Sequence, residues 1–230
     1  DGGMMTTTNT TSAAMSQEQQ MNSFLTNLAA FLKNVQTYID NNENGISMEP
    51  TTDTPAADLR VAMNNLFSEH VDVSAEVMRN IIDDSSDLEA SKEAQMDNAV
   101  EIAEAFGSLY GSDVQELVGE AFIEHIEFSN EYAEAVDDMD ENAKDDADDE
   151  LDEYLREISV LLASVIDTVD EETAYSVLRD HEDLMNEAAE QYKAGRYSQA
   201  YETEREALKQ IQVVSDVLSQ GVVDTMPEDF

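Results

Sequence analysis

Apolar residues recur along this chain at intervals of three and four, the spacing that puts them on one stripe of an α-helix. The first stripe is Met21, Phe24, Leu28, Phe31, Val35 and Tyr38, widened by Leu25, Leu32 and Ile39 and preceded by the capping-box pair Ser16 and Gln19. It predicts a helix over about residues 16 to 41. A loop with Asn44-Gly45, Pro50 and Pro55 follows. A second helix is predicted from about Ala56 to Asp83. Ser86 with Glu89 opens a third, which carries Met96, Val100, Ala103, Phe106 and Leu109 and stops at Gly111. Ser112 with Gln115 opens a fourth, reaching about Val136. The fifth covers about 141 to 167, with Leu151, Tyr154, Leu155, Ile158, Leu161, Leu162, Val165 and Ile166 at helical spacing. The sixth, about 171 to 193, ends at Gly195, and Ser198 caps a seventh over about 199 to 219. No segment sustains strand alternation, so the expected fold is all-α, an up-and-down bundle of about seven helices.

Six of these helices form an internal repeat. The phrase FSEHVDVSAEV, Phe67 to Val77, returns as FIEHIEFSNEY, Phe122 to Tyr132. Aligning the only three histidines, His70, His125 and His181, brings other columns into agreement. Three residues before each histidine stands Phe67, Phe122 or Leu178, and three after it Val73, Phe128 or Leu184. The preceding residue is acidic (Glu69, Glu124, Asp180), as are those two later (Asp72, Glu127, Asp183) and six later (Glu76, Glu131, Glu187). At about 100° per residue the apolar columns flank the histidine and the acidic columns fall on the far side of the helix. Each histidine is therefore expected in the core, backed by carboxylates that face water. The unit is an αα-hairpin repeated three times. The expected organisation is a Thr-rich arm (1–15), an N-terminal helix and loop (16–55), the three-hairpin bundle (56–220) and a C-terminal tail (221–230).

Charge changes this picture more than any motif does. The chain holds 11 Lys+Arg against 53 Asp+Glu, a formal net charge of −42. Nucleic acid is excluded as an expected partner, because its binding depends on cations that neutralise phosphates. Self-repulsion on this scale opposes a compact state unless salt screens it, and at about 1 M salt the Debye length is roughly 3 Å. A salt-rich habitat is the expected setting, with non-specific cations at the acidic surface. There is no cysteine, so disulfides and thiolate metal sites are excluded. No apolar run is long enough to span a membrane. The opening DGGMMTTTNTTSAAM, without an initiator Met, reads as a processed, exported chain, and Asn9 in Asn9-Thr10-Thr11 is its expected glycosylation position.

Candidate chemistry centres on the histidines. Alternate helices of an up-and-down bundle run parallel, which puts His70, His125 and His181 at similar heights, and Gln210 on the last helix is expected to face His181. Converging neutral imidazoles suit a transition metal such as copper, with Gln210, Glu or water as the fourth group. None of the histidines lies in HExxH or in the Glu-x-x-His motif of di-iron bundles. The eleven acids of Asp137 to Glu153 contain no EF-hand loop and read as a solvated helix start. No phosphate loop or nucleophile elbow is present, and the chain is not expected to be an enzyme.

The segments LRVAMNNLFSEHV (59–71), AFGSLYGSDVQELVGEAFIEHIEFSNEYAEAV (105–136) and HEDLMNEAAEQYKAGRYSQAYETEREALKQI (181–211) resemble a poorly characterised group of exported bacterial and archaeal helical proteins. Some members of that group are joined to, or labelled after, copper amine oxidase N-terminal domains. The resemblance covers about residues 57 to 215. In the group's pattern the position of Gln210 is often a fourth histidine, and the label implies no oxidase activity here. The expected function is that of an exported, non-enzymatic structural or interaction protein, a self-assembling cell-surface or filament subunit adapted to high salt. Assembly into a homo-oligomer or polymer is expected through the Met21–Tyr38 stripe. The alternative is a helical bundle that binds copper or a similar metal through its core histidines.

Overall fold

The structure, a computed structural model, describes residues 52–166 and 169–230. The arm, Asn9, and the predicted helix over 16 to 41 with its Met21, Phe24, Leu28, Phe31, Val35 and Tyr38 stripe lie outside the described residues. Those residues form six helices and no strand: α1 (Pro55–Ile82), α2 (Leu88–Tyr110), α3 (Ser112–Asp138), α4 (Glu141–Val165), α5 (Glu171–Lys193) and α6 (Tyr197–Thr225). The all-α bundle read from periodicity is what the chain forms.

Local chemistry starts three of these helices. Thr54 accepts a hydrogen bond from the Ala57 amide with Pro55 at the first helical position, Asp140 accepts from Asn142 and Ala143, and Asp170 accepts from Thr173. Two predicted capping boxes are not used. The caps of α2 and α3 are Asp87 and Gly111, neither with a side-chain bond to the helix. Gly111, at φ 94°, makes the turn and takes the cap position itself, which makes Ser112 the first helical residue. Ser198 is likewise inside α6, capped by Arg196. That helix runs past the predicted end to Thr225, because Leu218 and Val222 continue the buried stripe of Ile211 and Val214.

The three histidine helices, α1, α3 and α5, touch one another at the centre, and α2, α4 and α6 each fill the groove between two of them. Because α6 packs against both α5 and α1, the ring closes on itself. Polar contacts stitch this closing seam. Arg60 pairs with Asp216 at 2.5 Å, Arg79 with Glu204 at 2.7 Å, and Ser215 donates to Asn64 Oδ1 at 2.6 Å.

All nine recurring carboxylates are exposed and all three histidines are buried, as the repeat requires. Seven of the ten described cations, Arg60, Arg79, Lys92, Lys144, Arg156, Arg179 and Lys193, sit in ion pairs, and all but Arg156 join two helices. Six of the ten described cations are thus placed at helix seams, and the outer faces are dominated by carboxylates. No helix among the described residues is long and apolar enough to cross a membrane.

Candidate functional site

The apolar core is divided in two. One cluster, around Met63, Phe67, Phe106 and Leu155, fills the end of the bundle where α1, α3 and α5 begin; a smaller one, around Val77, Tyr132 and Ala188, fills the end where they finish. Between them lies a polar layer of His70, His125 and His181. Parallel packing of the three helices places it there, since each histidine occupies the same position in its repeat.

Two cavities flank this layer and share its residues. One of about 60 Å³ is lined by groups that precede the histidines in their helices, among them Phe67, Phe122 and Leu178, together with Tyr154. The other, of about 30 Å³, is lined by groups that follow them, among them Ser74, Ser129, Asn130 and Asn186. His70, His125, His181 and Glu182 line both. The layer is therefore the wall between an apolar chamber and one of mixed polar and apolar lining.

Within it the His70 and His125 Nε2 atoms stand 3.3 Å apart, with ring centroids at 5.4 Å. The His181 ring lies 6.1 Å from that of His70. Tyr154 stacks on His125 at 5.5 Å, and Phe122 meets His70 edge-on. One of the two close imidazoles donates to the other, which obliges the acceptor ring to carry its proton on Nδ1. The Nδ1 atoms of all three rings are buried without a hydrogen-bond partner. Asn98 Oδ1, also without one, stands near the His70 ring short of hydrogen-bonding geometry.

Burial holds all three imidazoles neutral. It lowers His70 to about 3, with His125 adding to the effect and Asn98 opposing it. It lowers His125 and His181 to about 4 each, the nearby Glu182 easing the protonated form of His181. Neutral imidazole is the form that ligates metals.

The fourth member of the layer is Glu182. Its side chain is 4% exposed, and Oε1 lies 3.6 Å from His125 Nε2. Burial raises its pKa; His181 and Arg179 pull it back, and Ser129 eases the ionised form. Among the described residues no lysine or arginine reaches it within ion-pair distance. Burial beside the Glu182 and Glu124 carboxylates also pushes the Tyr154 phenol up.

The structure brings together three of the four residues expected to form a site. Gln210 is not one of them. Its Nε2 donates to the backbone carbonyl of Val177, one turn before His181, and it lines neither cavity. Glu182 takes its place and has a visible signal in the sequence. The residue after the histidine is Val71 and Ile126 in the first two repeats and Glu182 in the third. A carboxylate in a column otherwise aliphatic marks the exception. Among the described residues no three His, Asp or Glu side chains form a ready-made metal cage. No family model, curated protein or solved structure matches the chain. Its functional reading rests on its own residues.

Proposed function

We propose that this protein is a non-enzymatic binding protein whose centre is the buried layer of His70, His125 and His181, and that its ligand is a transition-metal ion. The observation that carries this is the 3.3 Å separation of the His70 and His125 Nε2 atoms. Two imidazoles bound to one tetrahedral metal at 2.0–2.1 Å have nitrogens about 3.3 Å apart. Supporting it is the neutral state that burial imposes on all three rings. The test is uptake of zinc or copper by dialysed full-length protein, followed by calorimetry with excess Mg²⁺ to saturate the surface carboxylates. One site per chain is expected, lost in His70→Ala; no stoichiometric uptake overturns the reading.

The acidic shell supports a second reading, compatible with the first, of an extracellular structural or self-assembling subunit adapted to high salt. With most described cations committed to helix seams, the exposed carboxylates meet solvent and its cations unopposed. Sedimentation in high salt of the full chain against one lacking residues 1 to 41 tests it. Large assemblies formed only by the full chain are expected, and equal sedimentation of both overturns it.

A further inference from the structure

The geometry points to Glu182 as the fourth metal ligand, which makes the layer a three-histidine, one-carboxylate site for a divalent, tetrahedral-preferring ion of the zinc or cobalt class. This rests on the metal-binding reading above and adds to it the ligand set and the class of ion.

Three observations converge on Glu182. It breaks the repeat at a column where the other two copies are aliphatic, Val71 and Ile126, and both of those are buried. Its carboxylate is buried in the layer, shared by both cavities, and 3.6 Å from His125 Nε2. The residue expected in the fourth place, Gln210, donates its Nε2 to the Val177 carbonyl and lines neither cavity. A carboxylate removed from water needs either a proton or a compensating charge, and around Glu182 the nearest groups are imidazoles, with Arg179 beyond ion-pair distance. A divalent cation supplies that charge and uses those imidazoles as its other ligands.

The spacing also discriminates between ions. A square-planar or octahedral centre with nitrogen ligands at about 2.0 Å brings adjacent donors to about 2.8 Å, whereas tetrahedral zinc puts them about 3.3 Å apart. The His70–His125 separation is 3.3 Å, on the tetrahedral side. A hard carboxylate beside three imidazoles further favours a divalent ion over soft monovalent copper.

Cobalt(II) is the probe, because tetrahedral and octahedral cobalt differ strongly in visible d–d absorption. Full-length wild type, Glu182→Gln, Glu182→Ile and Gln210→Ala are titrated with Co²⁺ in high salt and excess Mg²⁺, with far-UV circular dichroism confirming that each is folded. Glu182→Ile restores the residue of the second repeat and so guards against a folding failure. Wild type is expected to take up one Co²⁺ with strong visible absorption. Gln210→Ala matches it, and both Glu182 variants bind at least about tenfold more weakly with an altered spectrum. Equal affinity and an unchanged spectrum in the Glu182 variants overturn the ligand assignment while leaving the metal reading intact. Weak, octahedral-type absorption by wild type overturns the ion class. No stoichiometric cobalt in wild type overturns the metal reading itself.

Discussion

Among the described residues two carboxylates are buried, and the chain treats them differently. Glu204, in the seam where α6 closes on α1, receives Arg79 Nη1 on both oxygens at 2.7 Å. Glu182, in the histidine layer, has imidazoles for company and no arginine or lysine within ion-pair distance. Burial pushes both pKa values up, and at Glu204 the Arg79 charge opposes the push directly. Among the described residues nearly all acids are placed outward, so a buried one is informative. Glu204 closes a ring and has its counter-charge built in. Glu182 serves no seam, and among the described residues no lysine or arginine stands within ion-pair distance of it, the contrast on which the proposed ligand assignment rests.

The largest expected effect is that of pH on the metal-free chain. The three histidines have folded values of about 3, 4 and 4, below the ordinary 6.5, so the unfolded chain takes up protons first. Their contribution to stability is whole above about pH 6.5 and is lost as pH falls toward those values. Between about pH 7 and about pH 5.5 this lowers the unfolding free energy by about 4 kcal/mol. Glu182 acts with the opposite sign: its raised pKa lets the folded state bind a proton first, so stability is regained as pH falls through that value. Urea unfolding at constant salt checks the slope, and a flat profile between those pH values would break the account of the layer.

Removing the counter-charge of Glu204 comes next. Arg79→Leu leaves a mostly buried carboxylate without its partner and is expected to cost about 2 to 4 kcal/mol in urea unfolding. Adding Glu204→Gln to it should restore most of that loss. The same operation on Glu182 runs the other way: Glu182→Ile removes a buried charge that no side chain pairs and is expected to stabilise the metal-free chain by about 1 to 3 kcal/mol. Equal signs at the two sites would erase the contrast between them. The smallest effect is that of Gln210→Ala, which loses one hydrogen bond to Val177 at about 1 kcal/mol and leaves metal affinity unchanged.

What the sequence revealed and what it concealed have physical reasons. Helical stripes are long here, and six of them were legible because each buries one face against two neighbours. The histidine layer was legible because duplication wrote it three times with the same apolar flanks. The caps at Ser86, Ser112 and Ser198 were misread because turn geometry decides which residue becomes the first helical one, and at Gly111 the glycine takes the cap position itself. Gln210 was expected to face His181, and its side chain instead reaches the Val177 carbonyl one turn away, a difference of level too small for helix spacing alone to settle. Glu182 escaped notice because columns that agree draw attention, whereas here the chemistry sits in the column that disagrees. Closure of α6 onto α1 depends on pairs 125 to 156 residues apart, such as Arg79 with Glu204 and Arg60 with Asp216, and no local pattern announces them.

The most direct test of the central claim is a calorimetric titration of dialysed full-length protein with Zn²⁺ near pH 7, in high salt and excess Mg²⁺, beside His70→Ala as the control. One Zn²⁺ per wild-type chain, absent from His70→Ala, is the predicted result. Identical, non-saturating heats from both proteins would mean that zinc meets only surface carboxylates, and would contradict a metal site in the histidine layer.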